Sequence, residues 1–189
     1  RARGRAMARQ SDRPVGAERR SPARKRSAPS VRVGIGYDSH RFGPGAMIRL
    51  GGLQIPHDKS LIGHSDADVV AHAVTDALLG AAGEGDIGAM FPDDDPANRM
   101  RDSIEMLRAA VSHLRDRGWR PSNVDVTVIA EEPRIAPYRD AMRDTLAKAM
   151  MLDRGAVSVK GKTNEGMGWL GRGEGIACIA VASVVPVSS

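Results

Sequence analysis

The 189-residue chain has a single cysteine, Cys178, and only two each of Trp, Tyr and Phe. A lone cysteine rules out an intrachain disulfide framework, and its place in the apolar run "GIACIAVASVV" suits a reducing compartment. With aromatics at 3%, the chain lacks the stacking platforms that single-stranded nucleic acid requires, so nucleic acid is not an expected partner. The core has to be built from Ala, Val, Leu, Ile and Met. No stretch of about 18 apolar residues occurs, so no transmembrane helix and no membrane partner are expected. The G-x-x-x-x-G-K-[ST] pattern of phosphate-binding P-loops is also missing.

Charge is unevenly spread. Residues 1–30 hold ten Lys and Arg against Asp12 and Glu18, a surplus of 8, so residues 31–189 carry a net −3 of the overall +5. This basic segment has almost no large apolar side chains, and disorder is expected there. It reads as a linker from a larger fused protein, a transit peptide, a cloning or start-site artefact, or a basic arm for nucleic acid. It has no apolar h-region of the kind a secretory signal carries. The remainder has the length and composition of one domain, 31–186, and a cytoplasmic location is expected, or a plastid one if residues 1–30 are a transit peptide.

Along 31–186, strand and helix signals alternate. "VRVGIGY" (31–37) alternates apolar residues at period two, and "MIRLGGL" (47–53) could return beside it through the Gly- and Pro-bearing "RFGPGA". "SDADVVAHAVTDALLGAAG" predicts a helix over 66–82, capped by Ser65 and stopped by Gly83. Helices over 102–117 and after Pro137, and strands at 123–130, 156–162 and 175–185, complete the pattern. The last strand is apolar on both faces and should be central. The expected fold is α/β (α+β): a mixed sheet of four to five strands covered by about three helices.

Two stretches carry chemistry. In "YDSHRFGPG", Asp38 and His40 are two residues apart, so a strand there points both to one face. In the following helix Asp68, His72 and Asp76 recur every four residues on a shared face. Asp38, His40 and His72 make a three-ligand set that leaves one position of a tetrahedral Zn²⁺ open, with Asp76 as acceptor for the other ring nitrogen of His72. "KGKTNEGMGWLGRGEG" (160–175) combines Lys160, Lys162 and Arg172 with Thr163, Asn164, Glu165 and six glycines. Backbone amides and cations there suit phosphate oxygens, and Glu165 suits a bridging divalent cation. A flexible surface hairpin is the plainer reading of this segment. Asp93, Asp94 and Asp95 form either a solvated turn or a hydroxyl-binding loop.

Taken together, "VGIGYDSHRF", "HSDADVVAHAVTDALLGAAGEGDIGAMFPDDDP", "VDVTVIAEEP" and "GKTNEGMGWLGRGEGIACIAV" resemble the 2-C-methyl-D-erythritol 2,4-cyclodiphosphate synthase family from about Val31 to Val185. The resemblance implies conversion of 4-diphosphocytidyl-2-C-methyl-D-erythritol 2-phosphate to the cyclic diphosphate and CMP, on the methylerythritol phosphate route to isoprenoids. It implies one zinc per site on Asp38, His40 and His72, and Mg²⁺ or Mn²⁺ on the diphosphate through Glu165. His64 and Thr163 match positions for transition-state stabilisation. Asp38, Ser39, His40, His64 and Ser65 border the substrate. Asp86, Ile87, Gly88, Phe91, Pro92, Asp93, Asp94 and Asp95 match the methylerythritol site. Ala130, Glu131, Glu132, Pro133, Arg134, Ile135 and Ala136, with Lys162, Thr163, Asn164 and Glu165, match the cytidine and phosphate pocket. Trp169 and Arg172 match positions near the axis of a homotrimer whose active sites lie between subunits. Arg134, Trp169 and Gly161 depart from the usual Lys, Phe or Tyr, and bulkier residue.

Overall fold

Two glycines on one strand decide how the first helix sits. In the computed structural model, which describes residues 31–92 and 94–187, the first strand β1 (Arg32–Pro44) lies along the first helix α1 (Val69–Ala82). A Cβ on Gly34 would fall 2.2 Å from the Ala77 carbonyl oxygen, and one on Gly36 would fall 1.9 Å from that of Ala73. Only bare backbone permits so close an approach. Gly34, Gly36, Asp38 and His40 share a parity, so the face of β1 that meets α1 is the face bearing the acid and the histidine. The other parity presents Val33, Ile35 and Tyr37, which are 66%, 70% and 55% exposed.

The main sheet has five strands in the order β4-β1-β7-β5-β6, where β4 is Lys59–Leu61, β5 Trp119–Ile129, β6 Val157–Lys162 and β7 Gly175–Pro186. β7 is antiparallel to both β1 and β5, which are therefore parallel to each other, and β6 runs parallel to β5. As expected from its apolar faces, β7 is central. The C-terminal ends of β1, β5 and β6 all emerge at one end of the sheet, as does the start of β7. Two short helices, α2 (Ile87–Met90) and α5 (Gly168–Gly171), flank this end. The long helices α1, α3 (Ser103–Asp116) and α4 (Arg139–Met150) cover one face. Met142, Leu146 and Ala149 point into the core as their spacing predicts.

Two local expectations are corrected. "MIRLGGL" does not return beside β1; β2 (Met47–Leu50) and β3 (Leu53–Pro56) form their own hairpin. Gly51 and Gly52 supply the positive φ angles, 59° and 80°, that a tight two-residue turn needs. The short β4 takes the place against β1 instead. Second, Ser65 does not cap α1. The cap is Asp68, whose side chain accepts from Val70 N and Ala71 N, and also from Gly51 N and Gly52 N of the hairpin turn. One buried carboxylate thus satisfies four backbone donors and ties the hairpin to the helix. Burial pushes the Asp68 carboxyl up from its ordinary value, against the pull of these hydrogen bonds. The basic segment 1–30 and Asp93 lie outside the described residues.

Candidate metal centre and adjoining cavities

α1 is buried almost all round; His72, Asp76 and Gly80, four residues apart, are its one stripe left open. The glycine-mediated contact brings that stripe over the end of β1. Asp38 Oδ2 lies 3.0 Å from His40 Nε2 and 3.0 Å from His72 Nδ1, and the two ring nitrogens are 3.3 Å apart. Among the described residues these three form the one cluster of His, Cys, Asp and Glu arranged to hold a metal ion.

The remaining atoms of the triad are committed elsewhere. Asp38 Oδ1 accepts from Ser39 N at 2.8 Å. His40 Nδ1 donates to the Ile62 carbonyl at 3.0 Å, which leaves Nε2 as the ring atom facing the cluster. His72 Nε2 contacts the hydroxyls of Ser65 and Ser103 at 2.9 and 2.8 Å. Ligands of a tetrahedral Zn²⁺ at bonds of about 2.0–2.1 Å stand about 3.3 Å apart. The observed separations, and an Asp-His-His donor set, fit that ion. Burial pushes the Asp38 carboxyl up, but hydrogen bonds and charge from His40 and His72 outweigh it and hold the group well below the usual carboxylate range. Burial also opposes a charged His40, yet the hydrogen bond and charge of Asp38 raise its pKa above the ordinary imidazole value.

Asp76 does not accept from His72. Both nitrogens of His72 are engaged by other groups, and Asp76 Oδ1 accepts from Ile87 N at 2.7 Å. The i+4 spacing placed Asp76 on the right stripe; the segment that reached it came from 86–88. The effect is to fasten Asp86, Ile87 and Gly88 beside the triad, with Asp86 in turn capping α2 through Ala89 N.

The triad opens into a cavity of about 490 Å³ lined also by His64, Ser65, Ile87, Gly88 and Phe91, and by Ile62, Gly63, Asn98 and Met106. Arg101 stacks over the Phe91 ring at 4.9 Å. A neighbouring cavity is lined by His64 again with Asp94 and Asp95; Asp95 caps the 3-10 turn Pro96–Asn98, and Asn98 Nδ2 donates to Pro92 O. Asp38 and His40 of β1, His64 and Ser65, His72 of α1, and Ile87, Gly88 and Phe91 are thus brought together, with Asp94 and Asp95 beside them.

The second group gathers elsewhere at the same sheet end. A cavity of about 670 Å³ is lined by Ala130, Glu131, Pro133, Arg134, Ile135, Ala136, Lys160, Gly161, Lys162 and Thr163. Glu132, whose bond to Pro133 is cis, lies in the same loop but is exposed. Glu131 Oε1 accepts from Asn164 N at 2.9 Å and orders the 164–166 turn. Gly161 is explained by its neighbour: a Cβ there would meet Ile135 at 2.7 Å, so the isoleucine occupies the space a bulkier residue would take. Thr163 Oγ1 donates to Glu165 Oε1 at 3.2 Å. Trp169 is 36% exposed, and Arg172 pairs with Glu174 at 2.6 Å. Among the described residues none lines both this cavity and the one at the triad. Thr163 lines this cavity, whereas Glu165, Trp169 and Arg172 line neither.

Sequence reasoning missed Asp66, Ser103 and the Ile62 carbonyl, which lie behind the triad, and the paired glycines of β1. Small residues at 34 and 36, on the parity of Asp38 and His40, were the available signal for the last.

Known proteins resemble this chain in sequence and in fold. A 2-C-methyl-D-erythritol 2,4-cyclodiphosphate synthase of Gemmatimonas aurantiaca is 60% identical over 159 residues, covering 84% of this chain and 96% of its own. The structure of the bifunctional IspDF from Campylobacter jejuni matches with a TM-score of 0.81 at 37% identity, over 84% of this chain and 43% of that one. An IspF of Plasmodium falciparum, solved as a CDP complex, matches with a TM-score of 0.74 at 32% identity, over 86% of this chain and 100% of that one. With residues 31–185 matching throughout, the chain belongs to the YgbB family.

Proposed function

We propose that the protein is a phosphorus–oxygen lyase, a 2-C-methyl-D-erythritol 2,4-cyclodiphosphate synthase. It converts 4-diphosphocytidyl-2-C-methyl-D-erythritol 2-phosphate to the cyclic diphosphate and CMP. The observation that carries this reading is the convergence of Asp38 Oδ2, His40 Nε2 and His72 Nδ1 within 3.3 Å of one another in a chain whose relatives bear that name.

Asp38, His40 and His72 would hold Zn²⁺, and Glu165 would hold Mg²⁺ or Mn²⁺ against the diphosphate. When bound, such cations neutralise phosphate charge and polarise the phosphorus under attack. The nucleophile is the substrate's own 2-phosphate, so the protein need not supply a base to activate water. Its task is to fold one polyanion so that its two ends meet, a positioning effect that reaches about 7–11 kcal/mol in the best intramolecular cases. Asp86, Ile87, Gly88 and the 91–95 segment would hold the methylerythritol portion. The cavity between Ala130 and Ala136 and Lys162 would take cytidine and phosphate, as CDP occupies the Plasmodium falciparum relative. The His64 imidazole and the Thr163 hydroxyl would donate to oxygens where charge develops.

Because the cavity at the triad and the cavity at Ala130–Ala136 share no described lining residue, the metal half of one copy would complete itself against the nucleotide half of the next. Val33, Ile35 and Tyr37 on the outer face of β1, with Val181 opposite Ile35 on β7, give that association an apolar surface in a homotrimer, with Trp169 and Arg172 near its axis. The location is read as cytoplasmic, or plastid if residues 1–30 are a transit peptide and not a fusion linker.

The test is phosphorus NMR of the protein incubated with the diphosphocytidyl substrate and Mg²⁺. CMP and a cyclic diphosphate are expected. An open-chain phosphate carrying oxygen from labelled water would overturn the reading in favour of a metal-dependent phosphohydrolase. His72→Ala is expected to lose bound zinc and most turnover while remaining folded.

A further inference from the structure

We infer that Ser103 and Asp66 are positioning residues that fix which ring nitrogen His72 turns toward Asp38 and His40. The inference rests on the reading of that triad as a metal site. His72 Nε2 lies 2.8 Å from Ser103 Oγ and 2.9 Å from Ser65 Oγ. A serine hydroxyl has one proton to give. Ser103 gives its proton to Asp66 Oδ1, in the shortest contact of the group. Toward His72 it can then only accept, and an unprotonated Nε2 would set two lone pairs facing each other at 2.8 Å. That contact is satisfied when Nε2 carries the ring proton, which is the form that leaves the Nδ1 lone pair for a cation held with Asp38 and His40.

Asp66 is itself held. Its Oδ2 accepts from Ser103 N at 3.3 Å and pairs with Arg49 at 3.5 Å, while Arg49 reaches Asp102, the cap of α3, at 3.4 Å. The result is a fixed series from Arg49 through Asp66 and Ser103 to His72, entirely on the side of the imidazole away from Asp38. Ser103 is fully buried, so water does not substitute for it. His40 is fixed in the same sense by a backbone carbonyl, that of Ile62. The chain thus sets one ligand with main chain and the other with a hydroxyl–carboxylate pair, and the second can be removed by substitution. Groups in this position behind a metal-bound histidine usually change metal affinity ten- to a hundredfold.

The experiment compares the full chain with Ser103→Ala, Ser103→Thr and Ser103→Val. Zinc affinity is measured by competition with a chromophoric chelator, and the His72 Nε2–H by long-range ¹H–¹⁵N correlation on the zinc-loaded protein. Thr and Val differ only in the hydroxyl, so any packing penalty is common to both. Zinc affinity is expected to fall ten- to a hundredfold in S103A and S103V and to recover in S103T. The Nε2–H resonance of His72 should lie downfield and resist exchange in the wild type and S103T, and shift upfield or broaden in the other two. Equal affinity and an unchanged Nε2–H resonance in S103V and S103T would overturn the inference while leaving the metal site intact. Failure of the wild type to bind zinc at all would overturn the metal site and this inference with it.

Discussion

Replacing Gly36 by Ala tests whether strand–helix spacing makes the metal centre. The added methyl would start 1.9 Å from the Ala73 carbonyl oxygen and 2.7 Å from Ala77 N, both backbone atoms of α1 that no rotamer change can move aside. Non-bonded carbon contacts settle at about 3.5–4.0 Å, so α1 has to retreat by more than about 1 Å. His72 rides on α1 and Asp38 on β1, so separations of 3.0 and 3.3 Å would open to about 4 Å, past the roughly 3.3 Å spacing a tetrahedral Zn²⁺ spans. Overpacking of this kind costs about 1–3 kcal/mol. That corresponds to a melting temperature lower by roughly 2–12 °C in a domain of this size. Zinc affinity, read by chelator competition, should fall at least about tenfold. Gly155→Ala is the control, since a Cβ there meets nothing within 4 Å. A Gly36→Ala protein that melts and binds zinc like the wild type would refute the reasoning.

Further outcomes follow from features far from that contact. Asp68→Ala strands four backbone donors at once, three of them buried, and should cost about 2–4 kcal/mol in chemical denaturation; a loss under 1 kcal/mol would mean that water replaces the carboxylate. Ile35→Glu, on a side chain 70% exposed in the single chain, should leave the fold intact yet lower the mass seen by sedimentation from trimer to monomer and abolish turnover; an unchanged trimer would remove that face from the interface. Asp125 lies 2.6 Å from Lys160, whose hydrogen bond holds its carboxyl below the ordinary value. A depressed carboxyl stabilises the fold above its unfolded pKa and ceases to do so as pH falls through the folded one. Asp125→Asn should therefore cost at most about 0.2–1 kcal/mol at pH 7, both partners being nearly half exposed, and nothing near pH 2. A cost that persists in acid would point to packing instead.

The triad could be read in the sequence because two short-range periods report on it: two residues between Asp38 and His40 on a strand, and an open stripe on α1 for His72. Those periods say which side of an element a residue occupies and nothing about what arrives there. Asp76 illustrates the limit, since its stripe was right and its partner, Ile87 N, came from a loop. Ser65 looked like a cap by its place before an apolar helix, but its hydroxyl is drawn to His72 by a contact seven residues on, and Asp68 caps instead. Ser103 meets His72 across 31 residues of chain and Asp66 across 37; no local pattern encodes such a meeting. The central position of β7 was legible from its doubly apolar character, whereas the β2–β3 hairpin was hidden behind a turn-rich segment that offered β1 a false partner.

A strand whose odd positions present Val33, Ile35 and Tyr37 outward and whose even positions hold backbone contact or ligands has no idle parity. Slipping β1 by one residue against β7 would carry Ile35 and Tyr37 to the helix side and turn both ligands outward, breaking the site and the outer surface in one event. An insertion or deletion between 33 and 40 would therefore turn both faces over at once, as a change in the loops would not.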